Sequence, residues 1–148
     1  MYRTFKMAVR RSISEIVNHV QTLDSKSEKI AWLRENDSQP LRVVLKNIYD
    51  VGVKFLIPDT PPPWKYNEYE DEAKALLYGE ARRLRIFVEG GGYDTLKPMK
   101  REQLFISLLE DIDNSDADLL ANHMISHKSV KGLTKKTLME AFPELIEE

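Results

Sequence analysis

A chain of 148 residues, 42% hydrophobic and 31% charged, is long enough for one domain with its own core and too apolar for a disordered tract. The absence of cysteine excludes disulfides, thiolate catalysis and sulfur-ligated structural zinc. A net charge of −2 with a pI near 6.0 excludes a uniformly basic polyanion binder, and no apolar run reaches the roughly 18 residues that span a bilayer.

The opening residues Met1-Tyr2-Arg3-Thr4-Phe5-Lys6 are charged with no apolar segment behind them, so no signal peptide is expected. Ile13, Ile16, Val17, Val20 and Leu23 then recur at helical spacing on one face. Ser25-Lys26-Ser27-Glu28 has the spacing of a capping box, in which the serine oxygen accepts the N3 amide and the glutamate reaches back to the cap amide. The helix it opens carries Ile30 and Leu33 and ends at Asn36-Asp37. Pro40, just after Ser38, suits a first helical turn, and Leu41, Val44, Leu45 and Ile48 share one face of the helix that follows. Gly52 breaks that helix. Residues 53–57 are too few for a further helix and read as extended chain or a buried turn.

Pro58, Pro61, Pro62 and Pro63 make residues 58–67 the clearest loop, because consecutive prolines force polyproline II geometry and remove amide donors. A helix resumes near Asp71 with acids in its first turn, where the dipole favours them. It carries Ala73, Leu76, Leu77, Ala81, Leu84 and Val88 up to Gly90-Gly91-Gly92. The next helix starts near Pro98 and holds Leu104, Phe105, Leu108, Leu109 and Ile112. Asp113-Asn114-Ser115 turns into a short helix with Leu119, Leu120 and Met124, which Gly132 ends. Thr134 suits the cap of a last helix carrying Leu138, Phe142, Leu145 and Ile146, although Pro143 argues against its final turn. The pattern predicts an all-α fold, an irregular bundle of about six to seven short helices forming a single domain over residues 1–148. A short β-hairpin from residues 53–57 and 85–88 is the competing element.

Charge is sorted along the chain: +4 over residues 1–57, −4 over 58–80, +3 over 81–103, −5 over 104–125, +4 over 126–136 and −4 over 137–148. Acids at helix starts account for part of this. Two basic blocks are left over, Arg82, Arg83, Arg85, Lys97, Lys100 and Arg101 in the first and Lys128, Lys131, Lys135 and Lys136 in the second. Brought to one face they would track a phosphate backbone, with Tyr78, Tyr93, Trp64 and Tyr66 as stacking rings. In the competing arrangement each basic block pairs with an acidic one, for instance residues 82–101 with residues 110–118. Trp64 and Tyr66, beside the prolines, form either an exposed protein-docking loop or a strap over the core.

No catalytic constellation, metal site or cofactor site emerges, so a non-enzymatic protein is expected. Residues 111–118 begin like a calcium loop, but Asp116 stands where glycine is required and Asn122 where a bidentate glutamate is required. They read as a helix end followed by an acid-rich helix start. Gly90-Gly91-Gly92 follows a helix rather than a strand and reads as a C-cap and link, with Lys97, Lys100 and Arg101 close enough downstream to keep an anion role open. His123 and His127 lie four residues apart with no glutamate between them and no visible third ligand.

Further stretches are informative together: Lys26-Ser27-Glu28-Lys29-Ile30 with Leu33, Asn36-Asp37-Ser38, Phe55-Leu56-Ile57-Pro58, Pro61-Pro62-Pro63 and Leu77-Tyr78-Gly79-Glu80-Ala81-Arg82-Arg83-Leu84. Lys100-Arg101-Glu102-Gln103-Leu104-Phe105-Ile106, Lys131-Gly132-Leu133-Thr134-Lys135, and Glu140-Ala141-Phe142-Pro143 with Leu145 continue the series. In these the chain resembles a family of small proteins of unknown function from large contractile-tailed bacteriophages of the T-even-like group. The resemblance covers most of residues 25–146, in order. It implies a phage protein made in the cytoplasm of the infected bacterial host, and it brings no activity and no catalytic residue. The expectation is a non-enzymatic phage accessory protein that docks on phage or host protein machinery, away from membranes. The alternative is nucleic-acid binding through the two basic blocks.

Overall fold

The computed structural model describes residues 11–66 and 76–146. Helix α1 (Ile13–His19) runs into a 3-10 turn (Val20–Thr22), followed by α2 (Lys26–Glu35) and α3 (Gln39–Tyr49). Helix α4 (Leu76–Glu80) continues as a 3-10 helix (Ala81–Phe87). Then come α5 (Pro98–Asp111), α6 (Asn114–Leu119) with a π turn (Leu120–Met124), and α7 (Lys135–Ala141). The fold is an all-α irregular bundle. Among the described residues the competing hairpin is reduced to one antiparallel bridge between Phe55 and Val88, with the Leu56 amide donating to the Phe87 carbonyl at 2.7 Å and the Glu89 amide to the Lys54 carbonyl at 2.8 Å. The predicted helix start near Asp71, and Ala73 with it, lies outside the described residues.

Side-chain caps set four of the helix starts, those of α1, α2, α3 and α7. Ser12 and Glu15 make a complete capping box at α1. Ser25 accepts the Glu28 amide at 3.2 Å, but the Glu28 carboxylate takes the Ser25 hydroxyl at 3.0 Å, so the box expected there is half formed. Ser38 caps α3 with Pro40 in its first turn, and Thr134 caps α7. Helix α7 stops at Ala141, ahead of Pro143, because a residue that precedes proline is pushed out of the α region. Phe142 and Ile146, expected on that helix, are buried beyond its end. Residues 81–87 wind as 3-10 rather than α, and the segment delivers Phe87 and Val88 to the bridge with Phe55.

A single apolar core takes side chains from every helix, with Leu33, Leu45, Leu84, Phe105, Leu120 and Leu138 all withdrawn from solvent. Several polar groups at its edge are matched. The Trp32 indole donates to the Ile16 carbonyl at 2.9 Å. The Tyr49 hydroxyl donates to the Leu133 carbonyl at 2.6 Å and accepts the Val130 amide at 2.9 Å, and burial pushes this phenol up to about 12. Gly132 lies beside this contact at φ +86°, where a Cβ would come within 2.6 Å of the Gln21 Cα. Tyr49→Phe leaves a buried amide and carbonyl without a partner. It is expected to cost about 1–3 kcal/mol, read from the urea midpoint at unchanged slope.

Candidate functional site

The first basic block surrounds the loop between the 3-10 helix and α5. Gly90 and Gly92 adopt left-handed backbone, φ +82° and +99°, which turns the chain after Val88. The Asp94 carboxylate accepts the Gly90 amide through both oxygens, at 2.9 and 3.1 Å. Arg101, in the first turn of α5, folds back under this loop and is only 4% exposed. Its Nη2 donates to the carbonyls of Tyr93 (3.0 Å), Asp94 (3.4 Å) and Leu96 (3.0 Å). Arg85 holds its guanidinium 5.7 Å from the Tyr93 ring centre. Arg83 pairs with Glu80 at 2.9 Å, while Arg82, Lys97 and Lys100 are exposed.

The second block runs from just after the π turn into the first turn of α7. Lys128, Lys131, Lys135 and Lys136 are all exposed. Their backbone is held from within: Lys29 donates to the Gly132 carbonyl at 2.8 Å, and His127, at φ +54°, places Nδ1 3.2 Å from the Ile48 carbonyl and Nε2 2.6 Å from the Val53 carbonyl. His123 Nδ1 lies 2.9 Å from the Lys128 carbonyl. The two histidines thus serve separate backbone carbonyls, and among the described residues no group of three His, Asp or Glu side chains is placed to hold a metal. In the first block Arg85 and Arg101 meet Tyr93, and Arg101 also Leu96; the backbone around the second is tied to α2 through Lys29 and to the end of α3 through His127.

Among the described residues no ion pair joins the first basic block to the acidic stretch 110–118, nor the second basic block to any acid. Ion pairs among the described residues join Lys26 to Glu140, Arg42 to Asp37 at 2.7 Å, Lys46 to Asp50 at 3.5 Å and Arg83 to Glu80. Arg42, hydrogen-bonded to Asp37, holds that carboxyl below its usual range. Arg82, Arg85, Lys97, Lys100, Lys128, Lys131, Lys135 and Lys136 make no ion pair among the described residues. Much of the acidic stretch is held elsewhere: Glu110 accepts the Lys65 amide at 2.9 Å, and Asp118 accepts the Tyr66 hydroxyl at 3.0 and 3.1 Å. Asp113 takes the Ser115 hydroxyl at 2.5 Å, and Asp116 the Ser14 amide at 2.8 Å.

Those contacts lay residues 64–66 across α5 and α6. Trp64 is half-buried against the core with its indole N–H unpartnered, and Tyr66 stays 59% exposed with its ring edge-on to Trp64 at 6.3 Å. Two open clefts lie among the described residues. One, of about 140 Å³, is lined by Asn18, Ser115, Asp118, Leu119, Asn122 and His123. The other, of about 300 Å³, is lined by Gln39, Arg42, Val43, Lys46, Glu144 and Leu145. Asp118, His123, Arg42 and Lys46 in these clefts already have intramolecular partners.

Nothing in the sequence pattern marks Asp116 for burial. It is wholly buried, one oxygen on Ser14 and the other without a partner, and burial pushes its carboxyl up to about 6. The Ser12-x-x-Glu15 spacing is the legible signal for the helix start it meets.

A family model described as "Family of unknown function (DUF6433)" matches residues 16–131. The chain belongs to this family. No curated protein matches it. The part shared with DUF6433 takes in the strap, the whole first basic block and Lys128 and Lys131 of the second, and ends short of Lys135, Lys136 and α7.

Proposed function

We propose that this DUF6433 member is a non-enzymatic bacteriophage accessory protein that docks, through its basic surface, on an acidic face of a phage or host protein in the cytoplasm of the infected cell. The observation that carries this reading is the set of eight exposed cations, from Arg82 to Lys136, that have no ion pair among the described residues. Charge left open on a surface steers a partner of opposite sign and sets its orientation. The strap supports a docking role, since it presents the Tyr66 ring outward beside the acidic stretch. No helix among the described residues is long and apolar enough to cross a membrane. Affinity capture from nuclease-treated, phage-infected cells is expected to recover a stoichiometric protein. A variant with Lys128, Lys131, Lys135 and Lys136 changed to Glu is expected to lose it. Recovery of no stoichiometric protein, or equal recovery by the variant, would sink the proposal.

A second reading, nucleic-acid binding, is favoured by one feature of the first block: the Tyr93 aromatic ring lies within it, under Arg85. Rings beside cations stack bases, and the cations bind phosphates with steep salt dependence.

A further inference from the structure

We propose that His127 is a proton-operated latch: with both ring nitrogens protonated it ties the end of α3 and the Val53 carbonyl to the segment that carries Lys128 and Lys131, and loss of one ring proton undoes one tie. Its bearing on those lysines as a docking surface rests on the first reading above, while the latch itself is a property of the free protein. Nε2 lies 2.6 Å from the Val53 carbonyl oxygen and Nδ1 lies 3.2 Å from the Ile48 carbonyl oxygen. A carbonyl oxygen only accepts. A neutral imidazole carries one N–H, so it serves one of these oxygens and turns a lone pair on the other. The imidazolium donates to both.

The fold sets the ring at these two oxygens. Ile48 is among the last four residues of α3, whose carbonyls have no intrahelical donor, and the amide of Gly52, four residues on, goes to the Asp50 carboxylate at 2.9 Å. The helix dipole favours a cation at this end. His127 holds left-handed backbone at φ +54°, a conformation that costs a residue with a Cβ and persists where surrounding contacts offset it. Its amide donates to the Met124 carbonyl at 3.2 Å. From α3 the nearby acid is Asp50, which is engaged by Gly52 and lies 3.5 Å from Lys46. From residues 53–55 come the exposed Lys54 and the Phe55 ring, 5.3 Å from the imidazole between centres, and the exposed Glu89 joins them through its amide on the Lys54 carbonyl. On its own segment stand the exposed Lys128 and His123, whose Nδ1 lies 2.9 Å from the Lys128 carbonyl. No carboxylate pairs with His127 among the described residues. The same segment is held further on at Val130 by the Tyr49 hydroxyl and at Gly132 by Lys29. Histidine changes charge between about pH 5 and 8, so the hold at its start answers to a modest change of pH.

The test is nitrogen-15 NMR of the full chain, free of any partner, at about pH 5 and pH 8. The His127 ring, assigned through bonds from its own backbone amide, is expected to carry a proton on both nitrogens at the lower pH and on one at the higher. Over the same interval, exchange of the Lys128 amide, which donates to the His123 carbonyl, is expected to rise about fivefold beyond its intrinsic increase. That is about the factor by which one hydrogen bond shifts a local opening. The Arg101 amide, bonded to the Lys97 carbonyl in α5, is expected to follow the intrinsic increase alone. Asparagine tolerates left-handed backbone and brings no titrating proton, so in His127→Asn the excess at Lys128 is expected to vanish. A ring with one protonated nitrogen at both pH values would overturn the latch. So would an unaltered protein with no excess at Lys128, or an excess that persists in His127→Asn. None of these readings involves a partner, so failure of the latch and failure of the docking function are separate results.

Discussion

Between pH 4 and pH 7, Asp116→Asn is expected to flatten a decline in stability that the unaltered protein shows as pH rises. Asp116 is fully buried, one oxygen accepting the Ser14 amide at 2.8 Å and the other unpartnered. Burial is the main cause that lifts its carboxyl from 3.8 to about 6, the Asp113 and Glu15 carboxylates add to it, and the Ser14 bonds oppose it. The folded state therefore holds this proton more tightly than the unfolded state. Its stabilising contribution is complete below about 3.8 and is lost as pH rises through about 6. A shift of that size is worth at most about 3 kcal/mol. Asparagine keeps an acceptor for Ser14 and carries no charge, so above pH 6 the variant is expected to be the more stable by about 1–3 kcal/mol. At pH 4 the advantage is expected to vanish, because the neutral acid suits the site and the asparagine N–H would lack a partner. Urea midpoints at pH 4, 5, 6 and 7 decide it, and parallel curves for the two proteins would refute it. Asp116 joins the start of α6 to the start of α1, so the contact expected to loosen above pH 6 is that between these two helices.

Periodicity made the helical class legible because each helix buries one face: Leu41, Val44, Leu45 and Ile48 on α3 are both spaced for a helix and withdrawn from solvent. Caps were legible where one residue does the work, as at Ser38 and Thr134. Sequence spacing misled at Ser25, because a capping box needs a glutamate free to reach backward, and Glu28 turns to the serine hydroxyl instead. The 3-10 winding of residues 81–87 and the π turn after Leu119 had no local signal, since apolar spacing does not distinguish a helix from its tighter or looser variants. The surfaces were harder still. A run of basic residues says nothing of which one turns inward. Arg101 is buried with three loop carbonyls converging on it, in a loop that the glycine turns at Gly90 and Gly92 open. Likewise the acidic stretch finds amides and hydroxyls from Ser14, Lys65 and Tyr66, contacts that come from distant sequence.

Phe105→Ala is expected to be the most costly single change, about 3–5 kcal/mol of a total that for a domain of this size is about 5–15 kcal/mol. Phe105 is completely withdrawn from solvent, and its ring meets that of Phe87 edge-on, 5.1 Å between centres and 69° between planes. Removing it deletes a large apolar volume from a site walled by other fully buried residues, which can collapse only in part. The pair has a particular position in the molecule. Phe87 ends the 3-10 helix that carries Arg82 and Arg85, and Phe105 lies one turn below Arg101 on α5. The carbonyl of Phe87 also accepts the Leu56 amide in the single bridge to residues 54–56. The ring contact therefore sets how the two arms of the first basic block stand to each other. Phe105→Leu, which keeps most of the volume, is expected to lose far less than the alanine variant. In Phe105→Ala, hydrogen exchange is expected to accelerate at the Leu56 and Glu89 amides beyond the change at Val130, whose amide rests on Tyr49 in another part of the core. Urea unfolding supplies the first number and amide exchange the second. A loss below about 1 kcal/mol, or equal acceleration at all three amides, would show that the ring pair does not couple α5 to the 3-10 helix.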